Sequence, residues 1–169
     1  SNLFALHDVT VAYKLGDGTI QTVLKEIDLQ FAIGETVAII GGNGSGKSTL
    51  LRVLAGLTPT SRGQVDRRGP SLIPIVFQNP DAQFVGETVY EDICFGLENM
   101  AVPREQMPQR VARALAEVGL SGFEHRLIEQ LSGGQKQLVC IAAALALESS
   151  VLILDEPTAM LDPTAKDQV

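Results

Sequence analysis

A glycine-rich stretch from Gly41 to Thr49 constrains this chain more than any other feature of the sequence. It reads GGNGSGKST and fits the pattern G-x-x-x-x-G-K-S/T. The apolar run Thr36–Ile40 before it predicts a buried strand, and Ser48–Ala55 after it predicts a helix. Glycines allow successive backbone N–H groups to turn inward, and the helix N-terminus adds positive potential. The sequence therefore predicts a loop that binds a triphosphate, rather than a glycine-rich turn that matches by coincidence.

The side chains at the end of this stretch suit the same chemistry. Lys47 is predicted to reach the β- and γ-phosphates and to act in catalysis, and the Ser48 hydroxyl is predicted to ligate Mg²⁺. The predicted nucleotide-binding residues of the loop are Gly42, Asn43, Gly44, Ser45, Gly46, Lys47, Ser48 and Thr49.

Two further motifs narrow the class of protein. Leu131–Gln135 reads LSGGQ before the apolar helix Lys136–Leu147, and the apolar strand Val151–Leu154 ends in Asp155-Glu156. Ser132 alone is also a good N-cap for an ordinary helix. In this order, however, the three motifs resemble those of the ATP-binding cassette (ABC) ATPases, over essentially the whole chain. The resemblance implies an α/β fold: a P-loop NTPase core with a parallel sheet, antiparallel strands at the N-terminus, and an inserted helical subdomain.

Hydrophobic periodicity gives the order of the elements. Phe4–Tyr13 and Thr22–Phe31 alternate apolar and polar residues around the turn residues Gly16-Asp17-Gly18, which predicts antiparallel strands. Buried strands separated by helices follow, which predicts a parallel sheet. The strands are Thr36–Ile40, Ile73–Phe77 and Val151–Leu154, and the helices include Thr88–Leu97 and Pro103–Val118.

The resemblance implies a single ABC ATPase domain over residues 1–169. Its parts are a strand-rich and P-loop core (1–78), a helical subdomain with the signature loop (79–135), and a signature helix with the Walker B strand and D-loop (136–169). The stretch between Leu57 and Ile75 is shorter than the family pattern and rich in Gly and Pro, which indicates either a true deletion or missing residues. The domain is also expected to be C-terminally incomplete, because neither His7 nor His125 matches the switch histidine of the family. A chain ending at Val169 is therefore expected to be incapable of normal ATP hydrolysis.

The resemblance also implies roles for side chains outside the glycine-rich loop. Tyr13, at the end of the first strand, matches the aromatic residue that stacks on adenine, although a Tyr packed on the sheet edge is the alternative. Gln78 matches a catalytic glutamine that contacts Mg²⁺ and water, and Asp155 matches the carboxylate that holds Mg²⁺. Glu156 matches the residue that polarises the attacking water, although a structural acid beside Pro157 is the alternative.

Two other motifs imply a second subunit. In the family, the signature residues Ser132, Gly133, Gly134 and Gln135 face the γ-phosphate that the other subunit holds, and Asp162 matches the D-loop aspartate. The nucleotide site is thus expected to be completed only in a homodimer or heterodimer of ABC ATPase subunits.

Composition excludes several other classes of partner. The chain has 13 basic and 20 acidic residues and a net charge of −7, so a nucleic-acid surface is not expected. Arg62, Arg67 and Arg68 are interpreted as a solvated loop, and Cys94 and Cys140 as reduced core residues. No signal peptide is expected in Ser1–Thr10, which has no basic start and no long apolar run, and the longest apolar run is shorter than the ~20 residues that span a bilayer. Any membrane role is therefore expected to depend on a partner, with the chain peripheral at the cytoplasmic face.

Three kinds of ABC protein remain open: the ATPase subunit of an importer, a soluble ATPase of DNA repair or chromosome organisation, and a translation-associated protein. The second is disfavoured by the lack of long heptad insertions and zinc-binding cysteines, and the third by the lack of a duplicated cassette. Phe77–Phe84 and Val89–Asn99 resemble the energy-coupling-factor and cobalt-type importer ATPases. That resemblance implies a transmembrane partner and a vitamin or metal-ion cargo, and the segment Asn79–Asn99 is the expected docking surface.

Overall fold

The computed structural model describes residues 2–69 and 73–156. The chain divides into two compact units, Ser1–Ile73 and Pro74–Val169.

The first unit is built on a three-stranded antiparallel sheet. Strands β1 (Asn2–Lys14), β2 (Ile20–Ala32) and β3 (Arg62–Arg67) have the order β2-β1-β3. A tight turn joins β1 to β2, with Gly18 in the left-handed region and its N–H bonded to the Leu15 carbonyl. The predicted antiparallel pair is confirmed, and the register places Leu6 opposite Leu29 and Tyr13 opposite Gln21.

The prediction of a solvated loop around Arg62 and Arg67 was wrong, because this segment is strand β3. It pairs with β1 in a register that places Val65 opposite Leu6. The sequence RGQVDR carries little hydrophobic signal, since Val65 is its only apolar side chain. Pairing with an already formed strand determines this element, and that information is not local.

The predicted buried strand Thr36–Ile40 was also wrong. The structure has no regular element over residues 35–42, and the Ile40 side chain is 92% exposed. A strand exists only through hydrogen bonds to a neighbour. In the part of the chain that the structure describes, this apolar run pairs with no other strand. After it comes helix α1 (Lys47–Leu54), close to the predicted Ser48–Ala55.

The second unit contains helices α2 (Val89–Asn99), α3 (Met107–Glu117) and α4 (Gly133–Ala146), with strands β4 (Ile75–Val76) and β5 (Ile153–Leu154). The helices pack into one apolar core, whose fully buried members include Val89, Leu97, Val111, Leu115, Val139 and Ala142. Strands β4 and β5 pair in parallel, with Val76 opposite Leu154. The predicted parallel pairing and helices are confirmed.

Local chemistry explains where two of these helices begin. Thr88 caps α2: its hydroxyl accepts from the Glu91 N–H, and the Glu91 carboxylate accepts from the Thr88 N–H. Ser132 and Gln135 form the same reciprocal pair at the start of α4. None of the helices that can be described over residues 2–69 and 73–156 is long and apolar enough to cross a membrane.

Candidate functional site

The glycine-rich loop lies in the first unit, directly before α1. Gly44 and Gly46 have φ angles of 77° and 93°, in the left-handed region that favours glycine. A Cβ at Gly46 would lie 2.9 Å from the Leu24 side chain and 3.1 Å from the Val23 carbonyl oxygen of β2. The loop therefore needs glycine at position 46 both for its backbone conformation and for its close approach to the sheet.

The Lys47 ammonium group folds back over this loop. Its Nζ donates to the Gly41 carbonyl at 2.7 Å and to the Gly42 carbonyl at 3.0 Å. Helix geometry leaves the N–H groups of the first turn of α1 without an acceptor inside the helix, and that turn contains no acidic residue. A primary ammonium and a helix N-terminus thus converge on one small loop, which is the arrangement that binds phosphate groups.

Arg67 holds the opposite end of α1, a contact that sequence reasoning missed. Its Nη2 donates to the Val53 carbonyl at 2.6 Å, and its Nε donates to the Leu54 carbonyl at 3.4 Å. Carbonyls in the last turn of a helix have no intrahelical partner, and a cation there is favourable. Strand β3 therefore helps to fix the helix that begins at Lys47. Only the position of Arg67 in tertiary structure reveals this contact.

Tyr13 lies in the same unit, on β1 and opposite Gln21. Its side chain is 44% exposed, so part of the ring faces solvent. An exposed aromatic ring near a strand end is available for stacking. Stacking of Tyr13 on adenine stays a prediction.

The second unit brings Gln78, Asp155 and Glu156 to one edge of the parallel pair. Gln78 follows β4 by two residues, and Asp155 directly follows β5, at the carboxyl ends of adjacent parallel strands. Asp155 is 7% exposed, and its N–H donates to the Val76 carbonyl at 2.8 Å. Gln78 and Glu156 are exposed. An amide and two carboxylates thus share one edge, where α/β sheets commonly bind ligands.

Glu156 has an unusual backbone. Its φ angle is 48°, in the left-handed region that a non-glycine residue rarely adopts. Among the described residues, Asp8, Glu26, Ala101 and Glu148 adopt the same conformation. No sequence pattern indicated this conformation.

Residues 77–83 form a loop that is held by its own side chains. The Asn79 side chain accepts from the Asp81 N–H at 3.1 Å. The Gln83 amide accepts from the Phe77 N–H at 3.0 Å and donates to the Ile75 carbonyl at 3.1 Å. Gln83 therefore fixes the backbone on the approach to Gln78, a role that the sequence analysis did not assign.

The signature residues Ser132–Gln135 form the beginning of α4 in the second unit. The Ser132 hydroxyl accepts from the Gln135 N–H at 3.2 Å, and the Gln135 side chain accepts from the Ser132 N–H at 3.0 Å. This is the N-cap that the sequence also allowed, and it leaves the glycines Gly133 and Gly134 in the first turn. Asp162, the predicted D-loop residue, lies outside the described residues.

The two cysteines belong to the core of the second unit, as predicted. Cys94 and Cys140 are both buried as free thiols. Burial raises the pKa of the Cys140 thiol to about 12. Within residues 2–69 and 73–156, no cluster of His, Cys, Asp and Glu has a geometry that would hold a metal ion by itself.

Curated proteins with similar sequences are named as ATP-binding proteins of transporters. The chain is 48% identical over 160 residues to the energy-coupling factor transporter ATP-binding protein EcfA1 of Lacticaseibacillus paracasei, which covers 88% of this chain and 58% of that protein. It is 42% identical over 180 residues to the EcfA1 protein of Bacillus subtilis, which covers 100% of this chain and 63% of that protein. The chain thus spans about three fifths of the length of these curated relatives.

Solved structures show the same fold. One is cbiO1 of Clostridium perfringens, described as part of the ABC transporter complex cbiONQ, with a TM-score of 0.80 and 37% identity over 99% of this chain and 70% of that chain. Another is a dimeric ATP-binding cassette in a post-hydrolysis state bound to ADP and Pi, with a TM-score of 0.86 and 31% identity over 98% of this chain and 78% of that chain. The predicted fold class is thereby confirmed. The family model for ABC transporters matches residues 24–159, and the chain belongs to the ABC transporter family.

Proposed function

We propose that this chain is the ATP-binding and ATP-hydrolysing part of a subunit that powers a membrane importer of the energy-coupling-factor type. The observation that carries the proposal is the Lys47 ammonium folded over a loop that needs glycine at Gly46, at the start of α1. The names of the relatives, energy-coupling factor transporter ATP-binding proteins, support the type of importer. The proposed cargo is a vitamin or a metal ion.

The chain's own residues suggest how ATP is bound and cleaved. The loop N–H groups and Lys47 bind the phosphates, and Tyr13 stacks on adenine. Glu156 accepts a hydrogen bond from the attacking water and orients it in line with the γ-phosphate, while Gln78 holds the same water from its exposed position after β4. Lys47 reduces the charge that develops on the phosphate oxygens.

Magnesium fits the donor groups that this chain offers. The Ser48 hydroxyl, the Gln78 amide oxygen and the Asp155 carboxylate are all hard oxygen ligands, which Mg²⁺ prefers. Few protein ligands suffice, because Mg²⁺ usually keeps waters and shares phosphate oxygens in such sites. When Mg²⁺ is bound with ATP, it would neutralise part of the negative charge of the phosphates.

The proposed assembly is a dimer of ATPase subunits with a transmembrane partner. Ser132, Gly133, Gly134, Gln135 and Asp162 are proposed to contact the nucleotide that the second subunit holds. We propose that the segment Asn79–Asn99 docks the transmembrane partner at the cytoplasmic face. In this segment a groove of about 370 Å³ is bordered by Val85, Tyr90, Phe95 and the acidic side chains Glu91 and Glu98. Phe95 is 47% exposed, which supports an apolar contact there.

Nucleotide titration by calorimetry tests the binding site. Lys47→Ala is expected to weaken Mg-ATP binding at least ~100-fold. The variant lacks the ammonium group, and two charge-assisted hydrogen bonds from that group to phosphate oxygens are worth about 3 kcal/mol or more. Lys25→Ala, which removes an exposed lysine from β2, is the matched control and is expected to bind like the wild type. Equal affinity of the two variants would overturn the assignment of the loop.

Co-expression with a candidate transmembrane subunit tests the importer assignment. The complex is expected to co-purify, and Phe95→Lys is expected to reduce its recovery without changing ATP affinity. Leu15→Lys, at another exposed apolar position, is the control and is expected to leave the recovery unchanged. Recovery of the protein with DNA or ribosomes, and never with the membrane subunit, would favour the DNA-repair or translation alternatives.

A further inference from the structure

The peptide group just before Gln78 is held from two directions in the second unit. The Phe77 N–H donates to the Gln83 side chain at 3.0 Å, and the Phe77 carbonyl accepts from the Gln137 Nε2 at 3.3 Å. Gln83 belongs to the same loop as Gln78, whereas Gln137 belongs to α4, the helix that begins with the signature residues. One side chain of α4 therefore reaches the backbone immediately before a proposed catalytic residue.

Gln137 is buried in a way that packing alone does not explain. Its side chain is 0% exposed, and its Oε1 has no hydrogen-bond partner among the described residues. Burial of an amide with an unsatisfied oxygen is unfavourable, and an apolar side chain of similar shape would avoid that cost. The hydrogen bond to Phe77 is thus the contact that an amide, and not an apolar residue, provides at this position.

A second contact joins the same two segments. The Lys136 ammonium lies 2.7 Å from the Asp81 carboxylate, in the loop that contains Gln78. The Lys136 side chain is largely buried, while the Asp81 side chain is mostly exposed. Two consecutive residues of α4 therefore contact residues 77–81, so a movement of the first turns of α4 displaces this loop.

We propose that Gln137 is a positioning residue, which fixes the Phe77 peptide and thereby makes the placement of Gln78 depend on the signature helix. This inference rests on the proposed ATPase function and on the role of Gln78 in it. Its consequence is that Ser132–Gln135 and Gln78 of one chain move together. The state of the signature loop then controls whether the amide of Gln78 is in place.

The test is a double-mutant cycle in steady-state ATPase assays of the complete protein, assembled with its partner subunits. Gln137→Met removes the amide at nearly constant volume, and Gln109→Met, at an exposed position of α3, is the matched control. Gln137→Met is expected to lower kcat by about one to two orders of magnitude with little change in KM for ATP. In a Gln78→Ala background the same substitution is expected to have almost no further effect. Gln83 is half-buried, and Gln83→Met removes the other side-chain hydrogen bond to the Phe77 backbone. This variant is expected to lower kcat in the same way.

The outcomes separate the possible failures. A wild-type assembly without ATPase activity contradicts the proposed function itself, and a fully active Gln78→Ala variant contradicts the role of Gln78. If Gln78→Ala is impaired while Gln137→Met has normal kcat, or if Gln137→Met has the same effect in both backgrounds, the positioning role is wrong. If Gln137→Met does not fold, Gln83→Met decides, and normal turnover in that variant overturns the proposal.

Discussion

Gly46→Ala is the substitution whose cost the structure defines most closely. Gly46 has a φ angle of 93°, and a non-glycine residue pays roughly 1–2 kcal/mol for a left-handed conformation. The new Cβ would also lie 3.1 Å from the Val23 carbonyl oxygen, a backbone atom that can move only if β2 moves. Its 2.9 Å approach to the terminal methyl of Leu24 is less serious, because that side chain is flexible. Overpacking of this kind costs about 1–3 kcal/mol, so the expected total is about 2–5 kcal/mol.

Two other glycines separate these terms. Gly44 has a φ angle of 77°, but a Cβ there meets nothing within 4 Å, so Gly44→Ala is expected to cost only the conformational ~1–2 kcal/mol. Gly16 has neither constraint, and Gly16→Ala is expected to be neutral or stabilising by about 0.4–1 kcal/mol. The gain from a less flexible unfolded chain is common to all three substitutions and cancels when the variants are compared.

Urea denaturation followed by circular dichroism, without nucleotide, measures the three free energies of unfolding. Gly46→Ala is expected to lie about 1–3 kcal/mol below Gly44→Ala, which is the steric contribution alone. Calorimetry should also show weaker ATP binding by Gly46→Ala, because the start of α1 must shift away from β2. Equal stability of Gly46→Ala and Gly44→Ala would refute the close packing of the loop against β2.

Three further outcomes are expected. Glu156→Gln should retain ATP binding but stop turnover, so that the complete protein stays as an ATP-bound dimer. Size-exclusion chromatography should detect this dimer. Hydrolysis at the wild-type rate would contradict the catalytic role of Glu156. Thr88→Ala should lower the free energy of unfolding by about 1 kcal/mol through loss of the α2 cap, whereas Ser121→Ala, at an exposed loop position, should not. The free energy of unfolding should fall as pH rises from about 9 to about 12, because the Cys140 thiol ionises in the unfolded chain but stays protonated in the fold. Cys140→Ala should remove this part of the dependence of stability on pH. An unchanged dependence in that variant would contradict the raised pKa of Cys140.

The family and the local elements could be predicted because their signals are contiguous in sequence. The loop from Gly41 to Thr49 can be recognised from contiguous residues alone, since glycine, lysine and hydroxyl residues stand at fixed spacing before a helix. The caps at Thr88 and Ser132 are equally local, because each bonds to a residue three positions later. In such features, the residues that contact each other are also close together in the sequence.

Prediction of strands failed for two segments. Thr36–Ile40 is apolar enough for a buried strand, yet the structure leaves it unpaired among the described residues, whereas the polar segment Arg62–Arg67 is a strand beside β1. A strand depends on hydrogen bonds to a partner, and the identity of that partner is not encoded in the run itself. The role expected for Asp162 stays a prediction.

The sequence by itself determined that this chain is an ABC-family domain with a glycine-rich loop before a helix, because residue type and spacing suffice to specify that loop and the capped helices. Tertiary structure alone decided that Arg67 holds the end of α1 and that Gln83 and Gln137 hold Phe77. Arg67 and Val53 lie 14 positions apart, and Gln137 and Phe77 lie 60 positions apart. Each contact also gives a backbone group a side-chain hydrogen-bond partner. No local pattern specifies which distant side chain will supply that hydrogen bond.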